Sequence, residues 1–250
     1  MGADLRLLRH LRTVGIYLLA LVLPVCIAAG IGTKLVEDAV PVVSLPKTDP
    51  IVLVLDPGHG GEDGGAVAAD GTNEKTLNLA VASRMEMIAD LLGYPVVMTR
   101  TEDTMLYDRY GDFPGGGKKK SYDLKNRLRF AREAGDSQAG ASVFCSIHMN
   151  QFPDADCRGL QVYYSPNTTD SVRYATAVQN YAKAYLDPTN QRQIKKATSS
   201  IYLLHRIQTP AILIECGFLS NPVECERLKD EGYQLQLAAV LVCGLCSSIP

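Results

Sequence analysis

Ile51-Val52-Leu53-Val54-Leu55-Asp56-Pro57-Gly58-His59-Gly60-Gly61 is the stretch from which the fold of this chain can be read. Five consecutive apolar residues, bounded by Pro50 on one side and Asp56-Pro57-Gly58 on the other, fit a short strand buried on both faces. The chain turns immediately, and the turn holds a histidine between glycines. Glycine lets backbone bend sharply and approach a ligand without a Cβ in the way. A phosphate cradle competes with this reading, but the Lys-Ser/Thr pair of a P-loop is missing.

Outward from this strand the pattern alternates. Leu77, Val81, Met85, Ile88 and Leu92 recur at helical spacing after Asn73, an expected N-cap, with Arg84, Glu86 and Asp90 on the other faces. Residues 95–99 read as a strand, 122–133 as a helix, 141–147 and 160–164 as strands, 171–185 as a helix and 211–214 as a strand. Asn221 followed by Pro222 and Glu224 predicts a helix start, and 233–246 reads as the last helix. Strand–helix alternation of this kind implies an α/β domain, with a mixed, mostly parallel sheet flanked by helices on both faces.

Before the domain, Arg6, Arg9 and Arg12 precede an uncharged run over 13–33, near the length a helix needs to cross a bilayer core. Positive charge ahead of an apolar run holds that end in the cytoplasm and sends the remainder of the chain outside. We expect a signal-anchor at 1–33, a proline-bearing linker at 34–50 and one catalytic domain at 51–250. An uncleaved anchor is favoured over cleavage near Ala28-Ala29-Gly30 or lipoprotein processing at Cys26, where Val25 is bulkier than that processing usually requires.

The 250 residues are 46% hydrophobic and 21% charged, with a formal net charge of −2, enough apolar content for a packed domain and no basic face for a nucleic-acid partner. Seven cysteines without regular spacing argue for packing residues rather than a disulfide framework. Cys243-Gly244-Leu245-Cys246 is formally a C-x-x-C, but it ends an apolar helix and reads as buried small hydrophobes.

With His10 set aside, three histidines remain. His59 and His148 come directly after predicted buried strands, and Glu215 stands after another in the same way. In open α/β sheets the crevice beyond the carboxyl ends of the strands is where ligands bind. Glu74 opens the helix after the first loop. Two imidazoles and a carboxylate are the donor set of a catalytic zinc site, which keeps a fourth position open, and the remaining carboxylate is free to act as a base.

Taken together, Leu55-Asp56-Pro57-Gly58-His59-Gly60-Gly61 with Asp63-Gly64-Gly65-Ala66, Glu74 with Asn78-Leu79, Thr99-Arg100, Ser146-Ile147-His148-Met149-Asn150 and Glu215-Cys216-Gly217-Phe218-Leu219-Ser220-Asn221 resemble the zinc-dependent N-acetylmuramoyl-L-alanine amidases of the amidase type 3 family. They run through 51–250 in family order. The resemblance implies one Zn2+ ion held by His59, Glu74 and His148, with Glu215 as general base and acid. It also implies hydrolysis of the amide between N-acetylmuramic acid and L-alanine in peptidoglycan, the metal polarising the carbonyl while Glu215 moves the proton. Gln151, where the family usually has alanine, and Arg132, where it often has asparagine, depart from the pattern away from the expected ligands. The short N-terminal anchor, the absence of wall-binding repeats and the insertion at 107–125 look most like the sporulation and germination amidases of the spore cortex. That implies action at the outer face of the cytoplasmic membrane, or secreted into the wall or the space around the forespore, and relatives of this type are often regulated by an accessory activator protein. A zinc peptidase of the stem peptide and a non-catalytic wall-binding scaffold are the rival readings.

Smaller features carry expectations too. Gly115-Gly116-Gly117-Lys118-Lys119-Lys120 reads as a solvated basic loop, with a lip that meets stem-peptide carboxylates or accommodates a partner protein as the alternative. Asp56 and Glu62 are candidates for orienting the His59 ring, with turn-forming and solvated roles as equal alternatives. His205 reads as structural, and Arg109 and Arg127 as surface-paired.

Overall fold

In the computed structural model of the chain, residues 51–137 and 142–249 are described, and the expected anchor and linker lie outside them. Among the described residues no helix is long and apolar enough to cross a membrane. The apolar opening run forms strand β1, Val52–Pro57, with all six residues buried. After it come α1 (Glu74–Leu91), β2 (Val96–Met98), α2 (Lys119–Ser137), β3 (Ser142–Asn150), β4 (Gln161–Tyr164), α3 (Asp170–Tyr185), β5 (Lys195–Lys196), α4 (Tyr202–Arg206), β6 (Ala211–Phe218), α5 (Pro222–Lys229) and α6 (Glu231–Cys246).

The strands build one six-stranded mixed sheet in the order β2-β1-β3-β6-β4-β5. β2, β1, β3 and β6 are mutually parallel, whereas β4 runs antiparallel to β6 and carries β5 parallel to itself. Successive strand residues point to opposite faces, so each central strand feeds two cores. Leu53, Leu55, Val143, Cys145, Ile147, Ile212 and Ile214 pack with α1, α3 and α6 on one face. Val52, Val54, Phe144, Ala211 and Leu213 pack with α2 and α4 on the other. Burying side chains of this size stabilises the fold by about 1.5–3 kcal/mol each, and burial on both faces is why β1 reads as an unbroken apolar run.

Two strands outrun their sequence signal. β3 continues through His148 to Asn150 and β6 through Glu215 to Phe218, so these two residues stand within strands and not beyond them. The unbroken buried run ends at the half-buried His148 and Glu215, whereas backbone pairing continues past them with Met149, Cys216 and Phe218 still buried. α2 begins at Lys119 and takes in lysines expected in a loop. β5 and α4 have no counterpart in the sequence pattern: β5 is two exposed lysines without apolar alternation, and α4 has five residues.

The helix starts differ in mechanism. Asn221 caps α5 as expected, its side chain accepting from Val223 N and Glu224 N at 3.1 Å each. Asn73 has extended cap geometry but makes no side-chain cap bond. The first amides of α1 are taken by loop carbonyls instead, Glu74 N donating to Ala66 O at 2.9 Å and Lys75 N to Gly64 O at 3.1 Å. Residues 60–73 are thereby folded down onto the helix that carries Glu74.

The described cysteines are free thiols. Cys145, Cys216 and Cys225 are buried as expected, Cys157 and Cys246 are half-buried and Cys243 is exposed, so the C-x-x-C is not uniformly core.

Candidate metal centre and active site

His59, Glu74 and His148 converge at the carboxyl edge of the sheet, their ligand atoms all within 4.8 Å of one another. His59 comes from the loop after β1, Glu74 from the first residue of α1 and His148 from β3. Glu74 Oε1 lies 2.8 Å from His148 Nδ1, and its Oε2 lies 3.2 Å from His59 Nε2. The two imidazoles stand edge to face with centroids 5.0 Å apart. Ligands at about 2.0–2.1 Å in tetrahedral array about zinc are themselves roughly 3.3 Å apart, close to these separations.

Glu74 is 3% exposed and is oriented by three hydrogen-bond donors of the fold. Ala66 N donates to Oε2 at 2.8 Å, while Met149 N and Asn78 Nδ2 donate to Oε1 at 3.1 and 3.3 Å. Burial would raise its pKa, but the two imidazoles outweigh that and hold the carboxyl well below the usual carboxylate range. Burial likewise opposes charge on His59, yet contact with Asp63 and Glu74 lifts its imidazolium to about 9. Both shifts say that the local field favours a positive charge, which a metal cation supplies as well as a proton does. The donor types, their spacing and this field together fit a divalent metal.

Two glycines make room for the cluster. A Cβ on Gly58 would stand 2.2–2.8 Å from atoms of the His148 ring, and one on Gly65 would meet Glu74 Oε2 at 2.5 Å and His59 Cδ2 at 2.8 Å. Gly65 also has φ +70°, a conformation that side chains with a Cβ rarely adopt.

His59 itself has φ +63°, the one positive-φ residue other than glycine among those described. Its conformation is imposed by a buried guanidinium. Arg127, 1% exposed, donates to the carbonyls of Pro57 and His59 at 2.9 and 2.6 Å, to Asp56 at 2.6 Å and to Asp123 at 2.7 Å. Arg100 adds bonds to Pro57 O and Gly58 O at 2.9 and 3.0 Å. The expectation of a surface-paired Arg127 is therefore corrected: its charge is buried because two carboxylates and two carbonyls satisfy it. Arg109 is exposed, over the Phe130 ring at 4.5 Å.

Of the roles open to Asp56, the structure favours turn support over orienting the His59 ring. Asp56 contacts Thr99, Ser146 and Arg127 and supports the loop from beneath, while the carboxylate beside the His59 ring is Asp63, with Oδ2 2.9 Å from Nδ1. Asp63 stands four residues beyond His59 within the quoted glycine motif, and that proximity is the signal in the sequence. Glu62 pairs with Lys119 Nζ at 2.5 Å, and Lys120 pairs with Asp63 at 3.0 Å, so two of the lysines fold back onto the His59 loop. His205 is exposed near the end of α4.

Glu215 is in register with His148 across β3 and β6, and in-register parallel neighbours point to the same face. Its Oε2 is buried without a hydrogen-bond partner. Burial pushes its carboxyl up to about 7, with the nearby His148 and His59 opposing and Glu74 assisting. A buried unpartnered carboxylate costs stability.

Known proteins of similar sequence and form carry the same identity. The family model for N-acetylmuramoyl-L-alanine amidase matches residues 53–247. The chain is 34% identical over 202 residues to the germination-specific N-acetylmuramoyl-L-alanine amidase of Bacillus subtilis, covering 81% of each. It is 28% identical to the amidase LytC of the same organism over 78% of this chain, and spans 35% of that protein. Among solved structures, the CwlD amidase of Clostridioides difficile in complex with the GerS lipoprotein aligns with TM-score 0.71 and 36% identity, over 79% of this chain and 98% of that one. The chain thus belongs to the N-acetylmuramoyl-L-alanine amidases and hydrolyses the amide between N-acetylmuramic acid and L-alanine in peptidoglycan.

Proposed function

We propose that this hydrolysis uses one zinc ion held by His59, Glu74 and His148, with Glu215 as the general base and acid. Zinc bound there would polarise the amide carbonyl and acidify a water molecule. The chain's own residues divide the remaining work. Glu74, fixed by three donors, sets the positions of both imidazoles; Arg127 and Arg100 hold the His59 turn; Glu215 receives a proton at its free carboxylate oxygen and delivers it to the departing L-alanine nitrogen. The observation that carries this reading is the unpartnered Glu215 Oε2 in register with His148: a carboxylate with a pKa near neutrality both accepts and releases a proton at working pH.

The setting belongs to the same proposal. The domain at 51–250 is carried by an uncleaved anchor at 1–33 and a linker at 34–50 and works outside the cytoplasmic membrane on wall or spore-cortex peptidoglycan. Similarity to a germination-specific amidase supports the cortex role. The GerS lipoprotein bound to the CwlD amidase supports an accessory protein here too.

Glu215→Gln tests the assignment. The variant should retain zinc at one ion per chain and lose about 10²–10⁴-fold in kcat on purified peptidoglycan, read as released stem peptides beginning at L-alanine. Full activity in a zinc-loaded Glu215→Gln protein would refute the role of Glu215, and unchanged zinc content in His59→Ala would refute the ligand set.

A further inference from the structure

A second feature occupies the same sheet edge, one strand beyond Glu215. Because β4 runs antiparallel to β6 with Gln161 opposite Glu215, the residues leading into β4 stand at the carboxyl end of β6. The segment leading into β5, which is parallel to β4, stands there as well. Between these two segments is a cavity of about 410 Å³ whose lining includes Arg158, Arg192, Asp156 and Asp187. A smaller one of about 230 Å³ shares Arg158 and Asp187 and adds Arg227.

Arg192 is held in place. Its Nε donates to Arg158 O at 2.7 Å, its Nη1 lies 3.4 Å from Gln161 Oε1, and its guanidinium covers the Phe218 ring at 4.6 Å from the centroid. Among the described residues neither Arg192, Arg158 nor Arg227 makes an ion pair with a carboxylate, whereas Lys75, Lys119, Lys120 and Arg127 near the active site all do. Glu224, which feels the charges of Arg227 and Arg192 without pairing with either, accepts hydrogen bonds from Gly159 N and Phe218 N at 2.8 Å each. A half-buried guanidinium fixed on an aromatic face at the wall of a cavity is preorganised for a planar anion.

We propose that Arg192 and Arg158 form a subsite for a carboxylate of the peptidoglycan stem peptide. This rests on the reading of Glu215 as the catalytic base, which sets where the scissile amide stands. The stem peptide leaves the cleaved bond on its L-alanine side and carries carboxylates further along, so a cavity that presents two arginines without ion-pair partners, flanking Glu215 on the side away from His148, is placed to receive one. The lysines of the 118–120 run are the other basic group near the site, but Lys119 and Lys120 are occupied by Glu62 and Asp63. Asp156 and Asp187 at the same cavity suit an amino group beside the carboxylate, a combination that a stem peptide with a diamino acid supplies.

The test is binding by calorimetry in the full-length zinc-loaded Glu215→Gln protein, which keeps the ligand uncut. The probes are an N-acetylmuramoyl tetrapeptide with free stem carboxylates and the same compound amidated. The free-carboxylate probe should bind about 10- to 100-fold more tightly, the range for hydrogen bonds to charged groups, and Arg158→Gln or Arg192→Gln should remove that preference without weakening the amidated probe. Arg158→Gln guards against misfolding, since among the described residues the Arg158 guanidinium makes no hydrogen bond or ion pair within the fold. Equal affinities for the two probes, or equal weakening of both by the substitutions, would overturn the subsite. Hydrolysis by the wild-type protein is scored separately: discrimination in binding without Glu215-dependent release would leave the subsite standing and remove the catalytic assignment.

Discussion

At the scale of single residues, the position of Glu215, the proposed general base, costs the fold stability. Its folded-state pKa, near 7, is above that of an exposed glutamate, near 4.5. A carboxyl with a raised pKa binds more protons folded than unfolded between those values, so its contribution to stability falls as pH rises through that window. A shift of this size corresponds to about 2–4 kcal/mol, offset when a cation occupies the adjacent donors. Metal-free Glu215→Gln should therefore gain on the metal-free wild type by about that amount between pH 4.5 and 8, read from urea denaturation at the two pH values. A stability difference that is flat with pH would mean that the carboxylate is not penalised in the fold. Arg127 shows the opposite balance. It is almost wholly buried, yet it is fully paired, and what it secures is the left-handed turn that aims His59.

At the scale of elements, the two asparagine-led helix starts separate what a cap does from what it looks like. Asn221 accepts from two amides of α5 and its amide donates to Ala155 O at 2.8 Å, so Asn221→Ala should cost about 1–2 kcal/mol of stability. Asn73→Ala should cost less than about 0.5 kcal/mol by that mechanism, because loop carbonyls already take the first amides of α1. Equal losses in thermal denaturation would contradict this account. The sequence made the helix positions legible in both cases, since Asn before an amphipathic run signals a start whichever group satisfies the amides. It also made legible the buried strands, the α/β class and the placing of His59, Glu74, His148 and Glu215 at one edge of the sheet. What it hid was whatever depends on distant neighbours. Arg127 looks like any helix arginine until Asp56 is placed 71 positions earlier beneath it, and β5 has no pattern of its own because only pairing to β4 defines it. Glu224 sits at the third position of α5, where a capping box would have it reach back to Asn221; instead it spans to Gly159 and Phe218 and ties three segments together.

At the scale of the whole domain, the three residues proposed to hold the metal arrive from a loop, a helix start and a strand separated by 15 and 74 positions in the chain. The sheet order places β1 beside β3 and β3 beside β6, so one parallel ladder brings His59, His148 and Glu215 to a common edge, and the folded-down 60–73 segment brings Glu74 across to meet them. A cation bridging these pieces would bind the folded chain and not the unfolded one, in which the same side chains are far apart. Linkage then gives about 2.7 kcal/mol of added stability at a free zinc concentration one hundred times Kd. For a domain of this size that corresponds to roughly 5–10 °C in melting temperature. Scanning calorimetry of the full chain with zinc and after chelation should show this difference in the wild type and in Glu215→Gln, which keeps all three donors, and should not show it in His59→Ala or His148→Ala. A melting temperature unmoved by chelation, or still raised by zinc once either histidine is gone, would mean that the metal does not bind where these three residues meet.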